Sequence, residues 1–251
     1  MPAENKATYI QLYLRSGIYW LLMVLSGSVI GFLTVLTFPF HVDKRFRFAR
    51  SWAMLNLWLL RHICKLSHTV EGRENLPMHG GVVLCKHQST WETIALQLIL
   101  PSVRWVLKRE LLRVPLFGWG LAMLQPIAID RAAGHKAVAQ LVEQGKPMLD
   151  DGYWVVVFPE GTRTHPGKNR RYKLGGSILA VETGHPVVPI AHNAGEFWPR
   201  HSFLKWPGNI TLRIGPVIDT SDKTAEQVNG LAHDWIEAQM QEISDPSRWD
   251  R

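Results

Sequence analysis

The apolar stretch "WVVVF", Trp154 to Phe158, indicates the fold class of this 251-residue chain. Five consecutive large apolar residues without polar alternation are typical of a strand that is buried on both of its faces. Strands of that kind form the centre of mainly parallel sheets, which are covered by helices. The stretch therefore predicts an α/β layered domain with a mainly parallel central sheet flanked by helices.

Strand-like and helical patterns alternate along the rest of the chain, which supports the same fold class. Short β-branched runs predict strands over residues 82–86, 103–108, 125–130, 186–193 and 209–218. Amphipathic or apolar runs between them predict helices over residues 91–100, 115–124, 135–149, 175–184 and 224–243. We expect membrane-anchoring helices in residues 1–70 and the α/β domain in residues 71–251.

The N-terminal part of the chain predicts a membrane anchor. Residues 16–40 contain no Asp, Glu, Lys, Arg or His, and about 20 apolar residues suffice to cross a bilayer as a helix. Gly27, Gly31 and Pro39 also allow a hairpin or a re-entrant anchor. Basic residues are in excess after the run, which predicts an inner (cytoplasmic) membrane protein whose catalytic domain faces the cytoplasm.

A second amphipathic stretch, Ser51 to Leu66, has helical periodicity and ends in basic residues. Such a helix either lies in the membrane interface or packs on the globular domain. Both alternatives stay open from the sequence.

Charge and cysteine content narrow the class of protein. The formal net charge is +7, which favours binding of phosphates on nucleic acid, on anionic lipid or on a small substrate and does not choose between them. Cys64 and Cys85 lie in apolar surroundings and form neither a CxxC motif nor a disulfide framework. Eleven tryptophans and 46% hydrophobic residues exclude a disordered chain.

His87 and Glu92 are the first candidate catalytic pair. They follow the strand-like "VVLCK" at the point where α/β domains place their chemistry. An imidazole can take and return a proton at physiological pH, and a carboxylate on its other nitrogen fixes its tautomer. The spacing of five permits contact when His87 lies in the loop and Glu92 lies in the first turn of the following helix.

The hexapeptide "FPEGTR", Phe158 to Arg163, follows the central strand directly. Its glycine allows a close backbone approach or a positive φ. Its arginine offers a planar fork that suits a phosphate. By spacing alone, a β-turn with a surface salt bridge explains the motif equally well.

Together the two motifs resemble those of the glycerolipid acyltransferase family, of the lysophosphatidic acid acyltransferase type. The family motifs are a histidine with an aspartate five residues later, a second motif carrying an arginine, FPEGTR, and a fourth containing a proline. "KHQSTWE", "IDR" ending at Arg131, "FPEGTR" and Pro189 match them in order and spacing over residues 80–193. One departure is that Glu92 stands where the family usually has aspartate.

The resemblance implies a role for each matching residue. His87 would be the general base on a glycerol hydroxyl, Glu92 would orient it, and no covalent acyl-enzyme would form. The phosphate of the acceptor would be bound by Arg163, Arg131 and Lys108, in a pocket shaped by the residues between Pro159 and Arg163, namely Glu160, Gly161 and Thr162.

The resemblance also implies the substrates. The acceptor would be a lysophospholipid, 1-acylglycerol-3-phosphate by default and lyso-ornithine lipid as the main alternative. The donor would be a thioester of acyl carrier protein or coenzyme A. No cofactor and no nucleic acid partner are expected, and membrane lipid would surround the anchor.

Three rival interpretations follow from other residues. Cys85 lies two positions before His87 and is a conceivable thiol nucleophile. The eleven histidines suggest a metal hydrolase as the second alternative. However, the sequence contains no HExxH motif, and His185, His192 and His201 have the spacing of loop and surface residues. The basic run "KNRRYK", residues 168–173, suits simple binding of anionic lipid or nucleic acid, or recruitment of phosphate groups and acidic carrier protein to the site.

Overall fold

The computed structural model describes residues 3–130 and 133–249. Its helices are α1 (Ala3–Leu36), α2 (Val42–His62), α3 (Trp91–Ile99), α4 (Phe117–Ala122), α5 (His135–Asp150), α6 (Gly175–Thr183) and α7 (Ala225–Ile243). Its strands are β1 (Leu66–Glu71), β2 (Val82–Cys85), β3 (Val103–Lys108), β4 (Ile127–Ile129), β5 (Trp154–Val157), β6 (Val187–His192) and β7 (Gly208–Ile214).

The strands form one seven-stranded sheet in the order β1-β7-β6-β2-β5-β3-β4. Neighbouring strands are parallel except β6 and β7. β5 lies between β2 and β3, and all four of its residues are buried. The prediction of a mainly parallel sheet is confirmed. Because β2, β3 and β5 run in the same direction, their carboxyl ends meet at one edge, where α/β folds bind ligands.

Helices cover both faces of the sheet. One face packs with α2 and α3 through a cluster that includes Leu60, Trp91 and Leu96, all less than 2% exposed. The other face packs with α5, α6 and α7 through side chains such as Leu141 and Leu179. The alternation of side-chain direction along β5 sends Val155 and Val156 to opposite faces, which explains why a continuous apolar run was needed there.

Two boundaries differ from the sequence-based expectation. The second helix spans Val42–His62 instead of residues 51–66, and β1 (Leu66–Glu71) was not anticipated. Lys65, between them, has φ of 56° and turns the chain from helix to strand. Buried and exposed residues alternate only weakly along β1, so its sequence lacks a clear period of two. The strand also crosses residue 70, where the expected domain division lies. That division stays a prediction.

α1 lies against the α/β domain. Within the described residues, Thr8–Leu36 is the stretch that is long and apolar enough to cross a membrane. One side of it packs on protein: the ring of Tyr19 meets that of Trp198 edge to face at 5.6 Å, and a Cβ on Gly31 would lie 3.3 Å from the carbonyl of Leu116. The other side exposes large apolar residues, among them Ile10, Leu14, Leu21, Val24, Val29, Phe32 and Leu36.

A buried lysine contributes to the packing of α1 on the domain. Lys205 is fully buried, and its ammonium lies 4.0 Å from the ring centroid of Trp20 and 4.7 Å from that of Trp198. Tyr19 and Phe203 complete this aromatic cluster. Cation–π contacts of a desolvated ammonium are worth about 2 kcal/mol or more. The cluster therefore links α1 to the segment that follows β6.

Candidate active site

The two sequence motifs meet at the carboxyl edge of the sheet. The neighbouring strands β2 and β5 end at Cys85 and Val157. The ring of His87 stacks on that of Phe158 with 3.9 Å between ring centroids. The N–H of Thr164 donates to the carbonyl of His87 at 2.8 Å. The loop after β2 and the FPEGTR turn after β5 therefore form one site.

The imidazole of His87 is held by the carboxylate of Glu92. Nδ1 of His87 lies 2.7 Å from Oε1 of Glu92. Since a carboxylate only accepts hydrogen bonds, Nδ1 carries the proton and the lone pair is on Nε2. α3 begins at Trp91, so Glu92 lies in its first turn and the preceding loop curls back. This is the geometry that the five-residue spacing required.

Glu92 is ionised inside the protein. Its side chain is 0% exposed, and it accepts the N–H of Ser89 at 3.0 Å and that of Gln88 at 3.2 Å. Burial raises the pKa of this carboxyl, but the hydrogen bonds from His87 and from the backbone N–H groups oppose burial, and the pKa lies below its usual value. The carboxylate can therefore stabilise a charged imidazolium at its side.

Backbone N–H groups before and at the start of α3 are already bonded to nearby side chains. The N–H of His87 donates to Glu160 at 2.7 Å, and that of Ser89 donates to Glu92. The N–H of Trp91 donates to the hydroxyl of Ser89 at 3.2 Å. These three groups are thus occupied, so the oxyanion of an acyl-transfer reaction must be stabilised by other donors.

Glu160 belongs to a buried ion-pair network beneath His87. Nζ of Lys86 lies 3.0 Å from Glu160 and 2.7 Å from Glu237 of α7. The hydroxyl of Tyr172 donates to the same oxygen of Glu237 at 2.9 Å. Burial raises the pKa of Glu160 despite the Lys86 ammonium. Both oxygens of this carboxylate are bonded within the site, Oε1 to Lys86 and Thr164 and Oε2 to the N–H of His87, which suits a residue that shapes the site from within.

Sequence reasoning missed Lys86, Tyr172 and Glu237 as members of the site. Of the three, only Lys86 could have been suspected from the sequence, because a lysine directly after a fully buried strand needs a partner for its charge. Its partner Glu237 is 151 residues further along the chain, and an acidic residue on an amphipathic helix gives no indication of such a contact.

His192 was wrongly interpreted as a loop or surface residue. It ends β6 and is 0% exposed. The N–H of Ala194 donates to its Nδ1 at 3.2 Å, so Nε2 carries the proton and donates to the carbonyl of Lys86 at 2.8 Å. Burial lowers the pKa of His192, and its Nε2 lies 3.9 Å from Glu92. The neutral ring braces the backbone just before His87.

The FPEGTR turn starts at the ring that stacks on His87 and carries two basic residues, Arg163 within it and Lys173 over it. Gly161 has φ of 71°, which favours glycine, and a Cβ there would lie 3.1 Å from Nζ of Lys173. Thr162 and Arg163 are half-buried, and the carbonyl of Arg163 accepts a hydrogen bond from Arg200 at 2.9 Å. Lys173, the last residue of the basic run 168–173, is exposed and lies over this turn.

The other two expected phosphate ligands lie differently. Lys108 ends β3 at the same edge of the sheet, two strand spacings or about 10 Å from β2. Its ammonium is exposed and pairs with Glu110 at 3.0 Å. Arg131 lies outside the described residues.

The rival sites gain no support from the geometry. Burial, with Glu92 and Glu160 adding to it, raises the pKa of the Cys85 thiol well above its usual value, which disfavours the thiolate that a nucleophile needs. Within residues 3–130 and 133–249, there is no group of three or more His, Cys, Asp or Glu side chains that could hold a metal ion.

A histidine base, oriented by a buried carboxylate at the carboxyl edge of a parallel sheet, defines a class of enzymes that activate a hydroxyl group for transfer chemistry. Comparison with known proteins identifies the member of that class. The family model described as Acyltransferase matches residues 67–193. The chain belongs to the acyltransferase family and is an enzyme of that family.

Relatives extend the match beyond the two motifs. The 1-acyl-sn-glycerol-3-phosphate acyltransferase of Pseudomonas aeruginosa is 42% identical over 236 residues, which cover 92% of each chain. The human 1-acyl-sn-glycerol-3-phosphate acyltransferase alpha is 30% identical over 85% of this chain and 77% of its own. The crystal structure of the LPA acyltransferase PlsC from Thermotoga maritima shares the fold, with a TM-score of 0.79, 20% identity, and coverage of 94% of this chain and 97% of its own.

Proposed function

We propose that this enzyme transfers an acyl chain from a thioester to the sn-2 hydroxyl of 1-acylglycerol-3-phosphate, which forms phosphatidic acid in phospholipid biosynthesis. The observation that carries the proposal is the 2.7 Å contact between His87 and Glu92 beside the cationic FPEGTR turn. The names of the Pseudomonas aeruginosa and human relatives support the choice of acceptor.

The reaction needs one base and no covalent intermediate on the protein. Nε2 of His87 takes the proton of the acceptor hydroxyl while the oxygen attacks the thioester carbonyl carbon. Glu92 stabilises the imidazolium that forms. The tetrahedral intermediate then collapses, the C–S bond breaks, and the imidazolium returns its proton to the departing sulfur. No cofactor is required beyond the acyl thioester.

The acceptor phosphate is bound at the turn that follows β5. Arg163 forms charge-assisted hydrogen bonds with it, Arg131 and Lys108 add positive charge, and Gly161 and Thr162 shape the pocket wall. Lys173 contributes a further ammonium, because its side chain lies over Gly161. Glu160 acts indirectly, by holding the backbone of His87 in place.

The reaction takes place at the inner surface of the cytoplasmic membrane. The exposed apolar side of α1 contacts lipid, and both the lysolipid and the product stay in the bilayer. The basic residues that follow α1 favour a catalytic domain on the cytoplasmic side. There the domain meets thioesters of acyl carrier protein or coenzyme A, and the basic run at residues 168–173 attracts either anionic donor.

An assay of the purified full chain in detergent tests this proposal. Labelled acyl thioesters of both carriers are offered with a panel of lysolipids that includes 1-acylglycerol-3-phosphate and lyso-ornithine lipid. We expect phosphatidic acid as the main product. Preferential acylation of lyso-ornithine lipid would identify that lipid as the acceptor and leave the mechanism unchanged. If no acceptor in the panel is acylated, the proposal is contradicted.

Replacing Arg163 by methionine should raise KM for 1-acylglycerol-3-phosphate by about 10- to 100-fold, because charge-assisted hydrogen bonds are worth about 1.5–3 kcal/mol. The matched control is Arg73→Met, since Arg73 is exposed and follows β1 at the opposite edge of the sheet. Steady-state kinetics in mixed micelles measure both. Equal KM values for the two variants would show that Arg163 does not bind the phosphate.

Replacing Glu237 by glutamine should lower kcat by about tenfold with little change in KM, because networks of this kind couple by about 0.5–3 kcal/mol. Loss of the charge leaves Lys86 to reorganise around Glu160, which shifts the backbone of His87. Glu242→Gln is the control, since Glu242 lies on the same helix but pairs with Arg213 at the surface. A rise in KM alone, or equal effects in both variants, would contradict this positioning role.

A further inference from the structure

A second apolar surface lies on the catalytic domain itself. The segment after β3 comprises a 3₁₀ turn, Arg109–Arg113, and the short helix α4. Phe117 is 54% exposed and Trp119 is 51% exposed. The other large exposed apolar residues of this segment are Leu111, Val114 and Leu116. Such a concentration within nine positions marks an interaction surface on a protein.

This surface is continuous with the lipid-facing side of α1. α4 packs directly on α1, where a Cβ on Gly120 would lie 3.0 Å from the Cα of Gly31. Small residues at this crossing bring the two backbones together. The exposed Val29 and Phe32 of α1 lie within a few residues of Gly31 in the same helix. One apolar face therefore extends from α1 onto the catalytic domain.

The charges around the surface favour an anionic lipid head-group layer. Arg109 and Arg113 are exposed on the 3₁₀ turn. Lys44 and Arg47 are exposed at the start of α2. Apolar side chains bordered by basic ones are typical of segments that lie in the membrane interface, where each basic residue adds attraction to anionic lipids.

We propose that residues 111–119 insert into the head-group region of an anionic bilayer and form a second membrane contact beside α1. The proposal rests on the membrane setting of the proposed function. The segment follows the carboxyl end of β3, at the same edge of the sheet as His87. Insertion there brings the catalytic histidine to the lipid surface, so an acceptor reaches it without leaving the bilayer.

An environment-sensitive fluorophore tests the insertion directly. Cys64 and Cys85 are 1% and 0% exposed, so an NBD label can be directed to Phe117→Cys in the otherwise unaltered full chain. On vesicles of phosphatidylethanolamine and phosphatidylglycerol, we expect a blue shift and a severalfold rise in emission. The control is Met78→Cys, because Met78 is 97% exposed and precedes β2 at the opposite edge of the sheet. Its emission should stay that of a label in water.

Flotation with the vesicles establishes that both labelled proteins are bound. An unshifted label at position 117 on bound protein would overturn the proposal. A shift that needs no vesicles and grows with protein concentration would identify a second copy of the chain as the occupant, which also overturns it.

A double variant, Phe117→Ser with Trp119→Ser, gives the functional readout. Acyl transfer on vesicles should fall by about tenfold or more, since two large apolar side chains no longer enter the bilayer. Transfer to acceptor in detergent micelles should remain at the level of the unaltered enzyme. Equal rates of the double variant and the unaltered enzyme on vesicles would contradict the membrane contact. Absence of acyl transfer by the unaltered enzyme would contradict the proposed function instead.

Discussion

Replacing His87 by alanine should lower kcat by about 10²- to 10⁴-fold, the usual contribution of a general base. In the proposed mechanism, Nε2 of this ring takes the hydroxyl proton, and the methyl group of alanine cannot replace it. The assay measures transfer of labelled acyl chains to 1-acylglycerol-3-phosphate in detergent. KM for the acceptor should change little, because the phosphate is bound by other residues.

The matched control is Cys85→Ala, two residues earlier, at the end of β2. Cys85 is fully buried and packs as a small apolar residue, so activity should be largely retained. The reverse result, an active His87→Ala and an inactive Cys85→Ala with unchanged unfolding temperature, would establish a thiol nucleophile and contradict the proposed mechanism.

Replacing Glu92 by glutamine should lower kcat by about 100-fold or more and reduce stability by about 1–3 kcal/mol. A neutral amide cannot stabilise the imidazolium, and its NH₂ group cannot accept the N–H of Ser89 at the position of Oε2. Glu92→Asp restores the charge and the residue that the family usually carries. It should therefore recover part of the activity, and kinetics of all three proteins with thermal unfolding separate the two effects.

The pH dependence of stability provides an independent measurement of the same carboxylate. The pKa of Glu92 is lower in the folded protein than in the unfolded chain, so its ionised form contributes stability above the unfolded pKa. That contribution is lost as pH falls through the folded pKa. From about pH 5 downward, the unfolding temperature of the unaltered protein should fall more steeply than that of Glu92→Gln. Parallel curves would show that Glu92 does not have a lowered pKa.

Local sequence patterns predicted the parts of the molecule that depend on near neighbours. The run Trp154 to Phe158 indicated a central parallel strand because burial on both faces leaves no room for polar residues. The spacing of His87 and Glu92 indicated their contact because one helical turn is enough to close it. The resemblance of the motifs to the acyltransferase family implied one site, and the neighbouring strands β2 and β5 bring the two motifs together at their carboxyl ends.

Contacts between distant segments could not be predicted in this way. Lys86 and Glu237 belong to different elements, and neither carries a spacing rule that links them. β1 was missed because one of its faces is half-covered, which blurs the period of two. His192 was misjudged because burial of an imidazole depends on the acceptor it meets, here a backbone carbonyl of the loop before His87.

Removing α1 would take Tyr19 and Trp20 away from Lys205, and half of the rings around that ammonium would be lost. Water would rehydrate the ammonium on that side, but Trp198 and the apolar surface that α1 covers would be exposed. A shortened chain that begins at Val42 should therefore misfold or aggregate instead of yielding a soluble catalytic fragment. In this enzyme the N-terminal helix is part of the folded domain, and a fragment made for functional work needs to retain it.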